Sequence, residues 1–226
     1  MRKFGIMILC AVSMISLYAG DVANFVNLGF SPDGTRFVFG QYGVTDSEYR
    51  AYADIFCVDV AKDDFMPKGR FSTAPSAATA ETDGKGVFAA LQNTAASFLK
   101  KQGVDSSAQG RALYVQAEDE PKLKNISFRD FETGSAFEVV VHCLSEGAGA
   151  NVQSSFYLSV TMTAPDGKVS VKTIGLPGFK RTGVKDYLVR RILTDASGKS
   201  LVFVIEKEQY ETKGSSIRFM VETVRL

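Results

Sequence analysis

The residues that could carry chemistry are few. One histidine and three cysteines stand in 226 residues, which is little material for a multi-ligand metal site or a Cys–His nucleophile. His142 and Cys143 are neighbours in the apolar run Glu138-Val139-Val140-Val141-His142-Cys143-Leu144. In an extended strand, adjacent side chains point to opposite faces, so these two do not form a ligand or catalytic pair. Ser197-Gly198-Lys199-Ser200 ends like a phosphate-binding loop, but Leu193 stands where the first glycine belongs. A Gly-x-Ser-x-Gly nucleophile elbow is absent. Carboxylates alone can hydrolyse glycosides, and the densest acidic group is Glu118-Asp119-Glu120, which reads as a solvated turn before Pro121. Asp33, Asp166 and Asp195 each sit in a glycine-containing turn and offer one or two oxygen ligands, where a calcium loop needs several. The sequence therefore calls for no metal and no cofactor, and leans away from an enzyme.

One charged feature remains. Lys172, Lys180, Arg181, Lys185, Arg190 and Arg191 place six cations within twenty residues, with Asp186 the sole acid among them. Such a run can hold an anionic envelope polymer, a phospholipid headgroup or the acidic surface of a partner protein. Lys180, Arg181, Lys185, Arg190 and Arg191 are the candidate binding residues. Interleaved aromatics are sparse (Phe179 and Tyr187), so nucleic acid is not indicated. The whole chain carries 26 basic and 25 acidic side chains, net +1, and so has no global field to draw in a polyanion.

Arg2 and Lys3, an apolar run from Phe4 to Tyr18 and the small Ala19 have the form of a secretory signal. The run is short for a bilayer span, which needs about 20 residues. The expected organisation is a signal peptide over 1–19 and a single exported β-rich domain over 20–226, periplasmic or extracellular, with no transmembrane span after cleavage. Cys10 leaves with the signal. Cys57 and Cys143 remain, and both lie in strand-like segments. An oxidising compartment permits a disulfide between them, while two buried thiols are the alternative; spacing does not decide.

The elements that must position these residues are mostly strands. Apolar residues make up 45% and charged ones 23%, the balance of a chain that buries a core. Seventeen Phe and eight Tyr without a Trp suit pleated, half-buried surfaces. Phe30-Ser31-Pro32-Asp33-Gly34-Thr35-Arg36-Phe37-Val38-Phe39 and, with one extra turn residue, Leu193-Thr194-Asp195-Ala196-Ser197-Gly198-Lys199-Ser200-Leu201-Val202-Phe203 align as hairpins. Both Phe39 and Phe203 precede a further apolar strand by sixteen residues. A third turn is Ala164-Pro165-Asp166-Gly167-Lys168. Proline presets φ, aspartate bonds the nearby backbone and glycine takes a positive φ, so each unit reads as strand, tight turn, strand, longer loop, strand. Between them, Met66 to Asp83 reads as a surface linker. Asp83 then caps a helix over about 84–102, with Val87, Phe88, Leu91, Ala95, Phe98 and Leu99 on one face. Segments 112–116, 126–131 and 136–144 read as strands; 187–193 fits either the helical or the strand period, and the repeat makes it a strand.

The first hairpin, followed by Ala53-Asp54-Ile55-Phe56-Cys57-Val58-Asp59-Val60, resembles the WD40-like repeat of TolB-type β-propellers. At whole-chain level the order of exported start, Gly34 hairpin, central helix, Gly110-Arg111-Ala112-Leu113-Tyr114 and C-terminal hairpin resembles a family of predicted secreted bacterial proteins with no assigned function. These resemblances imply a compartment and a fold, and no reaction. The expectation is a mainly antiparallel β protein with blade-like hairpin units at both ends and one packed helix, either an incomplete propeller or a β-sandwich. Its expected role is a non-catalytic envelope binding or docking domain. The alternatives are a secreted hydrolase using unidentified carboxylates, and a carrier with a closed apolar cavity.

Overall fold

The structure, a computed structural model, describes residues 20–226. The expected signal segment and Cys10 lie outside the described residues. Strands β1 (Asn24–Phe30), β2 (Arg36–Val44), β3 (Ala51–Asp59) and β4 (Asp64–Thr73) form an antiparallel meander. Helix α1 (Gly84–Lys101) follows, then β5 (Arg111–Val115). A second sheet holds β6 (Asn125–Arg129), β7 (Ala136–Glu146), β8 (Gln153–Thr163), β9 (Val169–Gly175) and the short β10 (Arg181–Thr182), with β9 and β10 both paired to β8. The third sheet takes β11 (Val184–Thr194), β12 (Ser200–Glu211) and β13 (Gly214–Arg225), and β5 joins it beside β11. The fold is mainly β and antiparallel, with no closed barrel.

The order of layers follows from which strands are apolar on both faces. In β12, Leu201, Phe203 and Ile205 pack with Phe156, Leu158 and Ile174 of the second sheet. The alternate residues Val202 and Val204 pack with Phe30, Phe37 and Phe39 of the first. All five β12 side chains are fully buried. A strand covered on both faces reads as an unbroken apolar run, as Leu201 to Ile205 does. The first sheet is likewise two-sided. Phe37 and Phe39 face the third sheet, whereas Val38, Ala53, Ile55 and Cys57 meet Phe88, Leu91 and Ala95 of α1. The layers are thus helix, first sheet, third sheet, second sheet.

Helix α1 begins where expected, because the Asp83 carboxylate accepts from the backbone N–H groups of Lys85 (3.1 Å) and Gly86 (3.2 Å). It lies close on β2, where a Cβ on Gly40 would stand 2.4 Å from the Phe88 ring. This α1 is not long and apolar enough to cross a membrane, nor is any other helix among the described residues.

Two expectations are corrected. The Met66–Asp83 linker is half strand: β4 runs through Pro67-Lys68-Gly69 to Thr73. It is an edge strand, and its pairing shifts register opposite Phe56 and Val58, the setting in which proline and a positive-φ residue (Lys68, 59°) are tolerated. In the C-terminal unit the expected long loop is the two-residue turn Thr212-Lys213, because β12 and β13 extend to the pair Glu211 and Gly214. Of the two alternatives left open for the cysteines, Cys57 and Cys143 stand as free thiols. Cys57 is fully buried under α1 on the first sheet, and Cys143 packs at the margin of the core between the second and third sheets.

Candidate functional site

The basic run does not form a basic surface. Lys180 pairs with Glu146 on β7. Lys185 pairs with Glu208 on β12 at 2.7 Å and also reaches Ser215. Arg190 makes a two-pronged contact with Glu206, at 2.6 and 2.8 Å, and bonds the carbonyls of Gln116 and Ala117. Lys172 bonds the carbonyl of Arg225. Arg191 is exposed and lines a shallow hollow with Glu118 and Phe25. Strand alternation divides these cations among faces, and acids on neighbouring strands neutralise most of them. Lys180 lines a hollow of about 340 Å³ and Arg190 and Arg191 one of about 300 Å³, while Arg181 opens onto a larger cavity.

That cavity is an open cleft of about 690 Å³ where all three sheets meet. The first sheet contributes the β3–β4 turn (Lys62 to Phe65), the second contributes Ile174, Leu176, Phe179 and Arg181, and the third contributes Lys207, Met220 and Glu222. The turn is fastened to β13. The Asp63 carboxylate accepts from the Thr223 N–H at 2.6 Å and its hydroxyl at 3.1 Å, and Asp63 takes a left-handed φ of 54° to do so. Glu222, the next residue along β13, is 6% exposed and touches Asp63 on one side and Arg181 (3.3 Å) on the other. Burial, reinforced by the Asp63 carboxylate, pushes the Glu222 carboxyl well above the usual carboxylate range, and Arg181 only partly opposes this.

The cations of the cleft are under-satisfied. Arg181 stacks on Phe179 at 5.0 Å, and its Nη1 atom is buried with no hydrogen-bond partner. Lys207 has no ion pair and no side-chain hydrogen bond among the described residues. Burial, with Arg181 and Arg218 adding repulsion, pulls its ammonium down to about 8. Lys207 is half-buried and lines the same cleft as Arg181, so the cleft can hold an anion between them.

Other candidates resolve into structure. Asp33 accepts from Ser31, Thr35 N–H and the Thr35 hydroxyl, and those bonds hold it down to about 2. Asp195 accepts from the N–H groups of Lys199 and Ser200, and Asp166 from Lys168 N–H. Each fixes its own turn. Glu118-Asp119-Glu120 is an exposed turn. His142 does lie on the face opposite Cys143: its Nε2 is 3.0 Å from the Ser159 hydroxyl, and its ring stacks on Tyr157 at 4.2 Å. This pair stands on the open outer face of the second sheet with no carboxylate joined to it. No group of three or more metal-ligating side chains occurs among the described residues.

Lys207, Glu222 and Asp63 escape a linear reading. Lys207 sits in Glu206-Lys207-Glu208, which looks like a solvated alternation of charge. Glu222 carries one signal: it shares a strand face with the core residues Met220 and Val224. That signal is blurred because Val221 and Thr223 make the other face equally apolar.

The profile of a family described as "Predicted secreted protein (DUF2259)" matches residues 38–225. No curated protein and no solved structure matches the chain.

Proposed function

The chain belongs to DUF2259, a family of predicted secreted proteins, and on that premise we propose that it is a non-catalytic binding protein of the cell envelope. Its working surface is the three-sheet cleft, and its ligand is an anionic envelope polymer. The observation that carries this reading is the unpaired Lys207 ammonium beside Arg181 in a cleft of about 690 Å³. The blade-like meander of the first sheet, β1 to β4, agrees with it, since propeller-type sheets commonly present docking surfaces; that is an analogy of fold. A hydrolase is less well supported. Glycosidase carboxylates stand roughly 5–10 Å apart with substrate or water between them, whereas the Asp63 carboxylate is engaged by the Thr223 N–H and hydroxyl and Glu222 by Arg181.

The test is retention of the acidic polymer fraction of a cell envelope on the immobilised protein at moderate salt. Wild type is expected to retain it, and Lys207→Glu to lose it. Lys180→Glu and Lys185→Glu, whose lysines are already paired with acids, are expected to retain it. Equal retention by Lys207→Glu, or none by wild type, would refute the cleft. Release of shortened polymer would restore the hydrolase reading.

A further inference from the structure

We propose that the cleft recognises an acidic saccharide unit, holding its oxyanion between Lys207 and Arg181 and its ring against Phe179. The inference rests on the binding role proposed above and names the group recognised. Lys207, half-buried and without a protein partner among the described residues, and the Arg181 guanidinium line the same cleft. An oxyanion, carboxylate or phosphate, accepts from both and supplies the counter-charge that no acid of the described residues gives Lys207. Glu222, facing Asp63 and Arg181, adds a carboxylic O–H rather than a second repelling charge.

The rest of the wall limits what carries that oxyanion. Phe179 is 52% exposed, and Arg181 already lies over its ring. Leu176, at 64% exposure, flanks it. A flat apolar platform beside cationic donors fits the C–H face of a sugar ring and leaves the hydroxyls in water. A bare inorganic ion would leave that platform unused. A lipid would need a deep apolar slot to take its chain, and the cleft is open.

Calorimetric titration of the protein purified from the exported fraction, at low salt, separates these ligands. The probes are galacturonic acid, glucose 6-phosphate, neutral galactose, inorganic phosphate and phosphatidylglycerol vesicles. Both acidic sugars should bind roughly tenfold or more tightly than galactose and than inorganic phosphate. Lys207→Met should weaken them about tenfold, and Phe179→Ala should bring them toward the level of inorganic phosphate. Lys207→Met removes a half-buried charge that has no acid partner among the described residues and Phe179→Ala trims an exposed ring, so both variants should fold. Acidic sugars that bind no better than galactose, preference for inorganic phosphate or vesicles, or indifference to both variants would overturn the assignment. If the sugars fail while the envelope polymer is still retained, the ligand class is wrong and the binding role stands. If both fail, both fall.

Discussion

Glu222 sits where three influences compete, and burial prevails over the Arg181 cation. Its carboxyl is raised in the folded state, so folding takes up a proton. That contribution is complete below about 4.5, the ordinary value, and is lost as pH climbs through the raised one. Lys207 acts in the opposite sense and elsewhere. Its folded value is lowered to about 8 from 10.5, so its cost is constant below pH 8 and eases only as it deprotonates above that. Between pH 5 and 8 the Glu222 proton therefore governs the slope. Glu222→Gln keeps a hydrogen-bonding side chain there without an ionisable proton. It should melt close to wild type at pH 4 and above it at pH 8, by roughly 2–4 °C for each kcal/mol gained in a chain of this size. Parallel melting curves across that range would show that the carboxyl ionises freely. None of this could be read along the chain, because the Asp63–Glu222 contact joins residues 159 apart in the sequence.

At the scale of elements, the turns were the most legible feature. Asp and Gly at fixed offsets forecast the hairpins at Gly34, Gly167 and Gly198, and all three glycines take a positive φ. Their surroundings differ, and that is tertiary. A Cβ on Gly34 (φ 66°) would come within 2.4 Å of the Asp195 carboxylate of the other hairpin, whereas one on Gly167 (φ 84°) meets nothing within 4 Å. Gly34→Ala should thus cost about 2–3 kcal/mol, from backbone strain plus the clash, and Gly167→Ala only about 1 kcal/mol. Urea denaturation of the two variants checks this, and equal costs would mean that the two turns do not press on each other. The helix was also legible, since Asp83 and the apolar stripe of α1 are local signals. Strand β4 was not, because Pro67-Lys68-Gly69 has the chemistry of a turn and only pairing with β3 holds it extended.

For the whole molecule, the decisive fact is that β12 serves two cores. Phe203 fills the space between the second and third sheets, and its neighbours Val202 and Val204 fill the space between the third and first. Phe203→Ala should cost about 3–5 kcal/mol. It should also speed hydrogen exchange in strands of both outer sheets, because loosening the shared strand loosens both cores. Faster exchange confined to the second sheet would show that the two cores open independently. Export, antiparallel β class, both hairpin units and the helix were determined by the sequence itself, because each rests on local periodicity, turn chemistry or a contiguous apolar segment. The stacking of three sheets, the dispersal of the basic run and the cleft around Lys207, Arg181 and Glu222 were decided only by the tertiary structure. Charge along a strand alternates between faces and is cancelled by acids on neighbouring strands, so a cation's freedom depends on contacts that sequence spacing does not encode.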